Sequence, residues 1–408
     1  MDLSQMRAGL ARLGNPERAV RTVIVGGTNG KGSVTTMIGN IIRHAEYSVG
    51  CYYSPHLLDV RERIVLNGTM ISYIDMARLI RYVRERTEPD LNLTYFEFLT
   101  LSAYVLFAAK NVDLGVMEVG MGGRYDATNV ANPVVSAITT VSLDHTGYLG
   151  NREEDIAREK AEIIPVGGVL VAGRVSNSVR EILGEHARRK EAEAFFLGTS
   201  FRGIPESGNG PAEATGMQYR GISMNLDDVV ISLPGKHQVD NTAVALAVVE
   251  ILGRNGFSIP EASIRQGLST IRLPGRIERI AEDPEIIVDV AHNPAGARVL
   301  ADFIRSLPKK RSALVVGIMA DKDVGGVLRE LDGITDVIVL TVPRIDRAAP
   351  LADLERAAVS LATPFRSYGD VSGALSASRQ LVGKKGRVVV TGSFYTVEEA
   401  VKEIGGGT

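Results

Sequence analysis

An α/β fold in two domains, each built on a mainly parallel sheet, is what this sequence predicts, and three observations carry the prediction. Short β-branched runs alternate with amphipathic segments along most of the chain, the order that parallel strands joined by crossover helices require. Two of the runs, Gly115–Val119 and Val134–Val141, are mostly apolar without a polar alternation, as strands covered on both faces should be. At 408 residues the chain is also too long for one ordinary core.

The first domain opens with a strand over 22–26 that turns through glycines into a helix. In Ser33–His44 the apolar residues Val34, Met37, Ile38, Ile41 and Ile42 keep to one helix face. A second strand, Ser48–Tyr53, runs into a Ser54-Pro55-His56 loop. Ile64–Leu66 and Thr69–Ile71 flank Asn67-Gly68, a strong hairpin signal. Ser72 and Asp75 then have the spacing of a capping box. Residues 204–216 read as a surface loop. Around it, Phe195–Leu197, Met217–Tyr219, Ile222–Met224 and Val229–Leu233 read as a small antiparallel patch. Helical patterns over 238–253 and 260–271 lead to Leu273-Pro274-Gly275. There we expect the boundary between a domain at 1–273 and a smaller one at 274–408. In the smaller domain Ile286–Val290, Ala313–Gly317, Val337–Thr341 and Arg387–Thr391 read as strands separated by helices.

Composition excludes several functions. Lysine plus arginine (46) nearly balances aspartate plus glutamate (48), and a net charge of −2 gives no electrostatic case for nucleic acid or an anionic membrane. With 5% aromatic residues and no tryptophan there is no stacking platform for single strands. The one cysteine, Cys51, rules out an internal disulfide, fits a reducing compartment, and reads as a buried, inert thiol. The first residues lack the plan of a signal peptide, and no apolar run is long enough to span a bilayer, so the expectation is a cytoplasmic protein.

Chemistry concentrates where strands end. Between Gly26 and Ser33 the chain reads Gly-Gly-Thr-Asn-Gly-Lys-Gly-Ser. Such a loop before a helix offers free N–H groups at the positive end of the helix dipole, a cradle for phosphate, with Lys31 able to reach the outer phosphates. It departs from the generic P-loop string in two places: three residues rather than four separate Gly26 from Gly30, and Gly32 stands between Lys31 and Ser33. Glu118 leaves a buried strand beside a glycine turn, the placement of a Mg²⁺ ligand. Asp144-His145 follows the next strand, and Lys160 lies on a helix. Asp289-Val290-Ala291-His292-Asn293-Pro294 ends the first strand of the second domain. There the Asp–His pair could contact nucleotide or orient a reacting group, Asn293 could cap, and Pro294 could open the next helix.

The loop Gly27-Thr28-Asn29-Gly30-Lys31-Gly32-Ser33 resembles the phosphate loop of the folylpolyglutamate synthase / dihydrofolate synthase family, a branch of the Mur-ligase superfamily. The resemblance continues in order: Leu13-Gly14-Asn15-Pro16, Ser54-Pro55-His56-Leu57, Glu62-Arg63, Phe96-Glu97, Glu118-Val119-Gly120 and Asp126 through Asn129 all fit. Asp144-His145-Thr146, Glu159-Lys160-Ala161, His237 with Asn241, Arg276-Ile277-Glu278, Asp289 through Pro294 and Asp321-Lys322-Asp323 extend it over almost the whole chain.

The resemblance implies a P-loop-like, ATP-binding central domain and a smaller Rossmann-like C-terminal domain without a dinucleotide. It implies a ligase that uses ATP to join L-glutamate to dihydropteroate or a folate through an acyl phosphate, as a monomer. Lys31 and the loop amides would hold the phosphates. Ser54, Glu118 and His145, with Ser33 nearby, would hold Mg²⁺. Lys160 matches a lysine that is carbamylated and ligates a second Mg²⁺. Asn241, Arg276 and Asp289 match nucleotide contacts, and His292 could also steady the phosphoryl group or the incoming amine. Departures fall on Glu162, where the family commonly has glycine, on Tyr125, where leucine is usual, and on a short segment before the phosphate loop. The acid stays open at this point: dihydropteroate, a folate, both, or, for another Mur-type ligase, a cell-wall precursor or a non-folate pterin. A nucleotide-binding module with vestigial ligase machinery is a third reading. The competent side chains of Lys31, Glu118, His145, Lys160 and Asp289 speak against it.

Overall fold

The computed structural model describes residues 2–206 and 214–405. The chain divides into two compact units. One runs up to Leu143 and resumes over Leu149–Arg272; the other takes Asp144–Tyr148 and the described chain from Leu273 onward.

In the first unit the β-branched and apolar runs form β1 (Thr22–Gly26), β2 (Val49–Tyr52), β3 (Ile64–Leu66), β4 (Thr69–Met70), β5 (Leu114–Glu118), β6 (Val135–Thr140), β7 (Val169–Arg174) and β8 (Glu193–Phe196). Among the described residues these make one sheet in the order β4-β3-β2-β5-β1-β6-β7-β8. It is parallel from β2 to β8, with an antiparallel hairpin at the β3–β4 edge. β1 and β5 are buried along their whole length, which explains why they are mostly apolar rather than alternating. The order switches direction at β1: β5 lies on one side and β6 on the other. A crevice at the carboxyl ends of the strands is the usual consequence of such a reversal, and it falls where the glycine loop begins.

β9 (Arg202–Pro205), β10 (Thr215–Arg220) and β11 (Asn225–Ile231) form a separate antiparallel sheet. Here the structure corrects the sequence reading. Phe195–Leu197 does not join this patch, because residues up to Phe196 pair in parallel with β7 as the edge of the large sheet. Ile222–Met224 is not a strand either. The N–H groups of Ile222, Ser223 and Met224 donate to the carboxylate of Glu250, which folds the segment into a tight turn. The expected loop over 204–216 begins and ends within β9 and β10, and 207–213 lie outside the described residues.

The second unit holds β12 (Glu278–Glu282), β13 (Glu285–Val288), β14 (Ser312–Val316), β15 (Val337–Leu340), β16 (Phe365–Ser367) and β17 (Arg387–Thr391). Its sheet runs β12-β13-β17-β14-β15-β16 and is parallel except for the β12–β13 pair. Each unit has its own core. Ile24, Met117, Ile138 and Phe107 belong to the first, and Leu314, Val316, Leu340 and Val389 to the second. Cys51 is buried, and desolvation pushes its thiol up to about 12. Among the described residues no helix is long and apolar enough to cross a membrane.

Candidate active site

The helix Lys31–His44 starts directly after the glycine loop, with Gly30 as its left-handed N-cap at φ 86°. No side chain caps this terminus, so its N–H groups face the loop mouth and the dipole favours an anion there. The loop is anchored by the residues that end β6. Thr28 N donates to Thr140 O at 2.8 Å, and Asn29 N to Thr140 Oγ1 at 3.0 Å. Thr139 Oγ1 donates to Asn29 O at 2.6 Å. Thr28 Oγ1 donates to Ser142 O at 3.2 Å and accepts from Ser142 N at 3.1 Å. Gly27 has φ 138°, and a Cβ there would collide with Thr139 Oγ1. Only glycine lets the loop lie this close to the β6 end.

Two lysines meet on one carbonyl of this loop. Lys31 Nζ donates to Gly27 O at 3.2 Å and to Thr28 O at 3.1 Å. Lys160 Nζ, from the helix Glu153–Ala161, donates to Gly27 O at 2.9 Å. Lys160 is only 4% exposed, so it is not the solvated charge that a helical lysine ordinarily is.

On the far side, Asn241 and Gln238 come from the helix His237–Arg254, and both are buried. Asn241 Oδ1 lies where a Cβ on Gly30 would stand. Asn241 Nδ2 donates to Gln238 Oε1 at 2.9 Å, and Gln238 Nε2 to Ser33 Oγ at 3.4 Å. Ser33, Asn241 and the loop are thereby tied together.

Glu118 ends β5, is 4% exposed, and accepts from Ser54 N at 3.3 Å. The loop that carries Ser54 is itself held by Glu62, whose carboxylate accepts from the N–H groups of Leu57, Leu58 and Asp59. The turn after Glu118 is shaped by Asp126, which accepts from Gly120 N, Met121 N and Thr128 N. Burial pushes the Asp126 carboxyl above its ordinary value. Among the described residues no three His, Cys, Asp or Glu side chains group as a metal site. The donors on offer in this unit are a buried carboxylate and the hydroxyls of Ser33 and Ser54. Those are hard oxygens, and they fit Mg²⁺ rather than a soft metal.

The remaining sequence candidates belong to the second unit. Asp289 accepts from Ile277 N and Ala291 N, both at 2.9 Å. Burial pushes its carboxyl up, against the pull of the Arg276 guanidinium and those two N–H groups. Arg276 lies over the Phe394 ring at 5.2 Å. Asn293 caps the helix Pro294–Ser306 through Gly296 N at 2.8 Å, with Pro294 at its first position. Asp144 is the hub of a charged cluster. Lys322 Nζ lies 2.6 Å from Asp144 Oδ1, His292 Nε2 3.5 Å from Oδ2, and Asn293 Nδ2 donates to Oδ2 at 3.1 Å. Burial opposes its ionisation, yet the hydrogen bond from His292 and the charges of His292, Lys322 and His145 hold its carboxyl well below the ordinary range. His145 Nε2 is 3.3 Å from Lys322 Nζ.

Sequence reasoning missed Thr139, Thr140, Ser142 and Gln238. The first three sit at the carboxyl end of a buried strand, where site residues collect, and that position was the available signal. Gln238 carried none beyond lying one helical turn before Asn241.

Residues 25–249 match the Mur ligase middle domain, and residues 275–394 match the Mur ligase glutamate ligase domain. The chain is 33% identical to the dihydrofolate synthase/folylpolyglutamate synthase of Mycobacterium tuberculosis, covering 98% of this chain and 89% of that one. A Halobacterium salinarum protein, a probable bifunctional folylpolyglutamate synthase/dihydropteroate synthase, is 32% identical over 96% of this chain, which spans 48% of that longer protein. Among solved structures, Escherichia coli FolC in complex with DHPP and ADP superposes with a TM-score of 0.90 at 30% identity, over all of this chain and 94% of that one. The bifunctional folylpolyglutamate synthase/dihydrofolate synthase of Yersinia pestis, complexed with AMPPNP and a Mn ion, gives 0.88 at 31% identity, over 99% of this chain and 94% of that one.

Proposed function

The chain belongs to the dihydrofolate synthase/folylpolyglutamate synthase family of Mur ligases, and from that membership we propose that it joins L-glutamate to dihydropteroate, to folates, or to both, converting ATP to ADP and phosphate. The observation that carries the proposal is the meeting of Lys31 and Lys160 on Gly27 O beside an open helix N-terminus. An amine does not displace oxide from a resonance-stabilised carboxylate. Phosphoryl transfer from ATP gives an acyl phosphate, and phosphate then leaves as the glutamate amine attacks.

The protein's work in such a reaction is positioning and charge neutralisation. Lys31 and the N–H groups that open its helix take the phosphates, while the Thr28 and Asn29 N–H groups stay committed to Thr140. In our assignment Ser33, Ser54 and Glu118 would hold Mg²⁺, as would His145 and Lys160 as its carbamate. When bound, Mg²⁺ would supply charge neutralisation at the phosphate oxygens. Asn241, Arg276 and Asp289 are assigned to the nucleotide. His292, with Nδ1 3.0 Å from Val290 O and Nε2 3.5 Å from Asp144 Oδ2, is assigned to steady the incoming amine or the phosphoryl group. We assign the enzyme to the cytoplasm as a monomer, with neither nucleic acid nor membrane as partner, in keeping with its net charge of −2.

The test is mass spectrometry of products after incubation with ATP, Mg²⁺ and L-glutamate, with dihydropteroate or tetrahydrofolate as the acid. The expected product gains one glutamyl residue with at least one of the two acids. ATP turnover that needs neither acid, or no product with either, overturns the assignment.

A further inference from the structure

We propose that Arg124 and Glu162 are positioning residues, which brace the helix carrying Lys160 against the turn that follows Glu118 and so fix where the Lys160 amine lies. The inference rests on the reading above, in which Glu118 and Lys160 serve the metal. It starts from a close approach of backbones. A Cβ on Gly123, in the Glu118 turn, would run into Glu159 O and Lys160 Cα. The turn therefore touches the helix at the lysine itself. Arg124 N donates to Glu159 O at 3.2 Å and extends this contact.

The Arg124 side chain then closes the joint. Its Nε lies 3.2 Å from Glu159 Oε1, and its Nη2 lies 2.9 Å from Glu162 Oε1. One planar fork thus grips carboxylates three residues apart, on either side of Lys160 in sequence. Glu162 is held from behind as well. Its Oε2 faces His186 Nε2 at 3.6 Å and Lys190 Nζ at 3.5 Å, and Lys190 Nζ also donates to Glu162 O and Ile164 O. The helix Asn177–Arg189 and the residue after it thereby back up the same carboxylate. At its other end, Lys160 reaches Gly27 O at 2.9 Å. A shift of its helix would be passed directly to that amine.

Ion pairs with this much solvent access add little to global stability; the Arg124 side chain is 43% exposed. Their use here is registration rather than stabilisation. Loss of outer-sphere partners weakens metal sites by about 10–100-fold. The Gly123 contact survives loss of the fork, so a smaller effect is expected.

The test uses the full chain with Arg124→Gln, Glu162→Gln, their double variant and Glu118→Ala. Two quantities are read: Mn²⁺ binding in the presence of ADP by electron paramagnetic resonance, and the Mg²⁺ concentration for half-maximal ligation. Each glutamine variant should raise both midpoints by roughly three- to tenfold, with kcat at saturating Mg²⁺ within about twofold and the melting temperature nearly unchanged. The double variant should be no worse than either single one, because both remove the same brace. Unchanged midpoints in both single variants overturn the proposal. So do additive losses accompanied by a fall in melting temperature. If Glu118→Ala binds Mn²⁺ as the parent does, the metal assignment itself fails. If Glu118→Ala is weakened and the glutamine variants are not, only the brace fails.

Discussion

Lys31 and Lys160 come from distant parts of the chain, yet both amines hydrogen-bond to Gly27 O. Lys31 adds a positive charge at a helix N-terminus, which is what a polyphosphate site requires, and the buried Lys160 amine shares its carbonyl partner in the position proposed above for carbamylation. Removing one of them should act on turnover rather than folding. Lys31→Ala is expected to lower kcat/KM by roughly a hundred- to a thousand-fold while far-ultraviolet circular dichroism stays as in the parent. A rate within tenfold of the parent would remove Lys31 from the phosphates. Lys31 was picked out in the sequence because its chemistry is local: an amine in a glycine loop has few other uses. Lys160, alone on a distant helix, was singled out only by the family resemblance. Thr139 and Thr140 were not. Their contribution is a set of ordinary hydrogen bonds to Thr28, Asn29 and Gly26, which any threonine at a strand end could make. Geometry alone singles them out.

Strands and helices obey the same division. β1, β5 and β6 were readable since long apolar runs with glycine or proline at their ends admit few alternatives. β8 was misassigned because three apolar residues carry no usable period, and its partner, β7, is set by tertiary packing. β9 escaped notice because Arg202-Gly203-Ile204-Pro205 contains both residues that normally argue against a strand. At this scale a mostly buried charge cluster ties β13 to β17 in the second sheet. Glu285 opens β13, and its carboxylate meets Arg387 Nε of β17 at 2.8 Å and Lys310 Nζ at 2.9 Å. Burial works against the charged Glu285, but the hydrogen bonds and charges of Lys310 and Arg387 hold its carboxyl below the ordinary value of 4.5. A depressed carboxyl contributes its stability above the unfolded value and loses it as the pH falls through the folded one. Glu285→Gln should therefore cost about 3 kcal/mol in urea unfolding at pH 7, since Arg387 is left buried without its counter-charge. The gap to the parent should narrow below about pH 4.5. An equal gap at pH 7 and pH 3 would contradict the ion-pair account.

The whole molecule consists of two units with separate cores, so its unfolding is not expected to follow a single two-state transition. Nucleotide should reveal this. ADP with Mg²⁺ at about a hundred times its Kd stabilises the state that binds it by about 2.7 kcal/mol. Hydrogen exchange followed by mass spectrometry should show that protection in peptides from β1, β5 and β6. Lys31→Ala should lose most of it. Equal protection in parent and variant would mean that the nucleotide does not use the glycine loop. The two-unit plan was legible in the chain length and in the break at Leu273-Pro274-Gly275. The grouping of Asp144–Tyr148 with the second unit was not, because it depends on Lys322, His292 and Asn293 gathering around Asp144.

Asn241 Oδ1 occupies the space that a side chain on Gly30 would need. In hereditary terms the two positions form one choice. A mutation that adds so much as a methyl group at 30 meets both the left-handed backbone and Asn241 Oδ1, and a smaller residue at 241 would relieve only the second. Yet a smaller residue at 241 would let go of Gln238, and through it of Ser33. Neither substitution has a neutral first step, so lineages descending from this chain should retain or lose the pair together.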